Sequence, residues 1–137
     1  MNSREVIIKV VSRKLIPLIL LFALYVQFHG DFGPGGGFQA GAIFSAGFIL
    51  YSLTFGFDKL VSAVPSRLLE LISVLGVLLY IGVGFLCMIL GGEFLNYSVL
   101  GDTQIAGQHL GILLVEMGVF LTVFSVLLLI FYCFVSR

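Results

Sequence analysis

The sequence has no tryptophan, only 10% charged residues and just two cysteines in 137 residues, while 60% of it is hydrophobic. A soluble domain of this length carries about a quarter of its residues as Asp, Glu, Lys or Arg, so that class is excluded. A formal net charge of zero leaves no basic excess for a nucleic-acid partner. No nucleophile stands at a readable spacing from a base, so no enzyme is expected. His29, Asp31, Glu93, Asp102 and His109 show no ligand spacing, so neither a metal nor a cofactor is expected. No internal repeat is seen, which argues against an inverted-repeat transporter built within this chain. No small-x-small cleavage site follows the first apolar run, so the basic start is read as leading into a retained helix rather than a signal peptide.

What the sequence does hold is apolar runs. A helix crosses the hydrocarbon in about 20 mostly apolar residues. The runs Phe38 to Phe57, Leu68 to Leu90 and Leu110 to Phe134 meet that length. Leu15 to Phe28 is shorter and spans if Val10 and Val11 enter the interface while Arg13 and Lys14 snorkel. The expectation is an all-α integral membrane protein, one domain over residues 1–137, with four spans near 10–29, 37–57, 67–90 and 109–134. Arg4, Lys9, Arg13, Lys14, Lys59, Arg67 and Arg137 then all fall on one side, which the positive-inside rule makes cytoplasmic together with both termini. The segment holding Arg4 to Lys14 reads either as a short interfacial helix or as an extension of the first span. Cys87 and Cys133 fall at opposite depths, too far apart for a disulfide, and are expected as free thiols.

The connections are short. "DKLVSAVPSR" suggests a helix starting at Pro65, since proline suits a first turn. Glu70 is three residues from Arg67, a spacing that suits an interfacial ion pair. "GGEFLNYSVLGDTQIAGQH" is longer and mixed, with Tyr97 expected at the interface. Gly37, Gly41 and Ser45, flanked by Ala42 and Ala46, allow close approach of another helix, either within the chain or from a partner.

Two features carry the functional reading. In "HGDFGPGGGFQAG", Pro34 fixes its own φ and Gly35, Gly36 and Gly37 accept positive φ, so a tight turn with few side chains is expected. It is not a phosphate loop, because Phe38 and Gln39 follow where Lys and Ser or Thr would be needed. The turn either caps the second span or packs beneath another subunit, its exposed N–H groups facing a polar partner. Glu116 lies inside the fourth span, where an ionisable side chain costs on the order of 2.5–3.5 kcal/mol, and reads either as a protonated, hydrogen-bonded interface residue or as part of an ion path. His109 falls on nearly the same helix face two turns outward, making a polar stripe with Glu116. No intramembrane Lys or Arg is present to pair with Glu116, which points to a partner from another subunit or to a protonated carboxyl.

At Pro34, Gly35, Gly36, Gly37, Phe38 and Gly41 the chain resembles the B subunit of the multisubunit cation/proton antiporters known as Mrp or Mnh. Those are small four-span proteins with a PGGGF stretch after the first span. The resemblance covers nearly the whole chain and includes an acidic residue early in the last span, here Glu116 in "GILLVEMGVF". Two positions depart from the family pattern. Asp31 stands where many members have His, with His29 two residues earlier, and Ala40 stands where many have Gly. Asp does not titrate near neutral pH as His does.

The resemblance implies an accessory subunit of a hetero-oligomeric Na+/H+ antiporter in the bacterial inner membrane, serving sodium tolerance and pH homeostasis. It further implies large partner subunits like those of respiratory complex I, with Na+ and H+ as the transported ions. Glu116 and His109 are then ion-path candidates, and His29, Asp31, Pro34 to Gln39 and Gly41 a subunit-packing loop. Two alternatives stand beside it: a purely structural scaffold, or the same module in a redox-driven complex such as a membrane-bound hydrogenase. A small homodimeric drug exporter fits poorly, because Leu15 to Phe28 holds no carboxylate.

Overall fold

In lipid a chain must close its backbone hydrogen bonds internally, and a helix does this within one segment. The computed structural model describes residues 2–29 and 36–136. Its helices are α1 (Ser3–His29), α2 (Gly37–Phe55), α3 (Phe57–Ala63), α4 (Ser66–Ile89) and α5 (Gln104–Val135), with a 3-10 turn at Tyr97–Leu100. α2, α4 and α5 are each long and apolar enough to cross a membrane. α1 contributes the shorter run, Leu15 to Phe28, within a 27-residue helix. The class is all-helical, with three to four candidate spans.

The helix ends, which need not coincide with the expected spans, have physical causes. α1 begins at Ser3, not near residue 10, so the cationic segment extends the helix instead of forming a separate one. α5 begins at Gln104, not near 109, because the Thr103 hydroxyl accepts the Ala106 N–H at 3.1 Å and caps the helix. α2 stops at Phe55 because Gly56 turns the chain with φ +115°, a value side-chain-bearing residues rarely adopt. Pro65 stands at the N-cap of α4, as its first-turn preference suggests. Among the described residues the Arg67–Glu70 ion pair is not formed, and Glu70 is exposed.

The packing is set by a few contacts. α1 runs antiparallel to α2: Thr54 donates to the Ser12 hydroxyl at 3.1 Å, Leu20 covers Gly47, and Val26 packs with Ala40. α4 runs antiparallel to α5: the Tyr132 hydroxyl donates to the Val64 carbonyl at 2.7 Å, Leu69 clusters with Leu128, and Gly76 meets Gly118. A Cβ on Gly118 would lie 2.7 Å from the Gly76 carbonyl oxygen, so only glycine permits this crossing. α2 and α5 run parallel, Gly37 beside Glu116, Gly41 beside Phe120, and Phe44 edge-on to Phe124 at 4.9 Å. The helices therefore lie in the order α1, α2, α5, α4.

The core concentrates at one end, where Leu60 of α3 joins Leu69, Phe124, Leu128 and Tyr132. Arg13 lies 5.9 Å from the Phe55 ring centroid at this end. Lys59 is in α3 and Arg67 in the first turn of α4, so the described cations share that end. At the opposite, cation-poor end, Phe94 lies across Gly84 and Tyr97 across Gly111, closing the α4–α5 connection over the helices. Burial pushes the Tyr97 phenol above its ordinary pKa, with smaller contributions from Tyr80 and Cys87. Cys87 and Cys133 are both free thiols, the first buried and the second exposed.

Candidate functional site

The cation-poor end brings together the two features that the sequence singles out. Gly36 is the N-cap of α2, and among the described residues no side chain caps the first N–H groups of the helix. Across from it, α5 places Glu116 so that its Oε1 lies 3.4 Å from where a Gly36 Cβ would be. Gly37 is packed directly on the Glu116 carbonyl, and a Cβ there would also fall 3.0 Å from Val119 Cβ. Glycine at these positions lets α2 start against α5, and the positive end of α2 faces a carboxylate, a favourable pairing. The sequence points to a partner of Glu116 on another subunit or to a protonated carboxyl. A helix N-terminus of its own chain already stands beside it.

The small-residue series on α2 is resolved the same way. A Cβ on Gly41 would lie 3.0 Å from the Phe120 carbonyl oxygen and 3.0 Å from Val123 Cβ. Gly37 and Gly41 therefore serve packing within the chain. Ser45 is buried and donates to the Ala42 carbonyl at 2.8 Å, which satisfies its hydroxyl in the helix. Phe38 and Gln39 turn away from α5 and border a groove with Phe22, Val26, Ala42 and Ile43.

The remaining candidates are not gathered. His109 is exposed in a shallow groove with Gln104, Ile105 and Gln108, about 10 Å along α5 from Glu116 at 1.5 Å per residue. His29 ends α1. Asp31, Pro34 and Gly35 lie outside the described residues. Among the described residues no three His, Cys, Asp or Glu side chains come together.

Gln27 was passed over in the sequence, yet it is 2% exposed and among the described residues neither its Oε1 nor its Nε2 has a hydrogen-bond partner. A polar group left unpaired in this way costs about 1–3 kcal/mol. Native structures reserve such groups for function, water or ions. The signal was available: a lone amide amid the run "LILLFALYVQF" is expensive in a membrane helix.

Apolar helices crossing at glycines, with a carboxylate of one helix beside the start of another, define a membrane-embedded helical protein. Comparison with known proteins makes this specific. Residues 7–129 match the family described as a domain related to the MnhB subunit of the Na+/H+ antiporter. A Staphylococcus epidermidis protein named as antiporter subunit mnhB2 is 33% identical over 133 residues, covering 90% of this chain and 94% of its own. A Staphylococcus aureus protein of the same name is 32% identical over 130 residues, covering 93% of this chain and 92% of its own. The chain belongs to the family of MnhB-related domains, as a subunit of a membrane antiporter and not an enzyme.

Proposed function

We propose that the chain is an accessory subunit of a hetero-oligomeric monovalent cation/proton antiporter and that Glu116 lies on its ion path. In this reading four helices cross the bacterial inner membrane as a single domain, with the cationic end and both termini in the cytoplasm. That orientation follows from the gathering of Arg4, Lys9, Arg13, Lys14, Lys59 and Arg67 at one end. Partner subunits, including large ones like those of respiratory complex I, cover the exposed apolar faces.

The observation that carries the reading is the carboxylate of Glu116 beside the uncapped start of α2. The helix dipole favours the ionised carboxylate, while surrounding hydrocarbon favours the protonated one. A carboxyl balanced between these can release a proton and take a cation in its place, so Na+ and H+ compete for one negative site. His109, further outward on the same face, suits an approach to that site. The test is growth at raised Na+ of a sodium-sensitive host carrying the whole operon. Glu116→Gln should abolish the tolerance while the complex still assembles on a native gel; undiminished growth would remove Glu116 from the path.

The scaffold reading has one observation in its favour, the exposure of large apolar residues such as Phe22, Phe85 and Ile89 along the helix row. It predicts that Glu116→Gln leaves growth unchanged.

A further inference from the structure

Gln27 remains unexplained by packing. Its neighbours on α1 fix where it points. Ile19, Leu20 and Ala23 face α2, with Ile19 and Leu20 covering Gly47. Phe22 and Val26 lie to one flank of that face and border the groove formed with Phe38, Gln39, Ala42 and Ile43, on the side of α2 away from α5. With about 100° between successive residues, Gln27 falls on the other flank, toward α5. The register set by Leu20 on Gly47 and Val26 on Ala40 puts it opposite the first turn of α2. The same turn carries Gly36 and Gly37, against which Glu116 is packed.

We propose that Gln27 is a cation-coordinating residue of the Glu116 site: its amide oxygen joins a Glu116 carboxylate oxygen in holding a dehydrated monovalent cation at the first turn of α2. This rests on the reading of Glu116 as an ion-path residue. Three features converge on it: a carboxylate, a helix start without a side-chain cap that favours its ionised form, and a buried amide with no hydrogen-bond partner among the described residues. A cation gives up water only where other oxygens replace it, and hard oxygen donors such as carboxylates and amide carbonyls suit an alkali ion. Both polar atoms of Gln27 are buried from solvent. Cation entry requires the last turn of α1 to part from α2. α1 is the outermost helix of the row and rests mainly on α2, so this motion leaves the α2–α5–α4 packing intact.

The test uses the whole antiporter in everted vesicles, with proton movement followed as Na+ is varied. Gln27→Leu should raise the Na+ concentration for half-maximal activity on the order of tenfold in complex assembled to the parental amount. An unchanged half-saturation in assembled complex overturns the proposal, as does reduced assembly with unchanged half-saturation. If Gln27→Leu does not assemble, Gln27→Glu restores oxygen ligands. It should half-saturate at or below the parental Na+ concentration, and a rise overturns the proposal. Glu116→Gln in parallel separates the two claims. An inactive Glu116→Gln with a silent Gln27→Leu refutes the role of Gln27 alone, whereas an active Glu116→Gln refutes both.

Discussion

At the scale of single residues, glycines differ sharply in what surrounds them. A Cβ on Gly118 would meet the Gly76 carbonyl, whereas one on Gly82 would meet nothing within 4 Å. Gly118→Ala should therefore destabilise by about 1–3 kcal/mol through overpacking. Gly82→Ala should be neutral or gain up to about 1 kcal/mol from helix propensity. Thermal unfolding of the purified complex in detergent measures both. Gly41→Leu should fail inside this chain, because Gly41 packs on Phe120 and Val123 of its own α5. Both Glu116 and the glycine stretch were legible as unusual residues for a membrane span. Their meeting was not, because it depends on α2 and α5 running side by side in parallel, which no local pattern encodes. Gln27 was overlooked because the surrounding apolar run reads as a span whether or not one amide interrupts it.

At the scale of elements, the helices were readable from hydrophobic length, but their ends depended on single side chains. α5 extends back to Gln104 because of the Thr103 cap. Thr103→Ala should cost about 1 kcal/mol and fray the first turn, seen as faster amide hydrogen exchange over residues 104–107. α3 and the start of α4 are held to α5 by the Tyr132–Val64 hydrogen bond at 2.7 Å. Tyr132→Phe removes it and leaves the Val64 carbonyl without that donor, a loss of about 0.5–1.5 kcal/mol in the same unfolding measurement. The α4–α5 connection was opaque in sequence. It is ordered by Phe94 over Gly84 and Tyr97 over Gly111, pairings distant in the chain and without periodicity.

At the scale of the whole molecule, the charge pattern was the most informative feature of the sequence. It led to the expectation of one cationic side, and among the described residues Arg13, Lys59 and Arg67 lie at one end of the helices, around α3. The row α1, α2, α5, α4 could not be read in the same way, since every helix has apolar residues on several sides. A row leaves wide apolar faces, consistent with a subunit that functions inside a larger assembly. At the cation-poor end Glu116 meets the start of α2. The central claim is that this carboxylate handles the transported ion. The most direct measurement is Na+ uptake into everted vesicles under an imposed proton gradient, with Glu116→Gln and parental complexes normalised to assembled amount. The account predicts that the Gln complex assembles and moves less than about a tenth of the parental Na+, a loss of roughly 1.4 kcal/mol or more in transition-state terms. Parental uptake by the Gln complex would contradict it and leave the chain a scaffold.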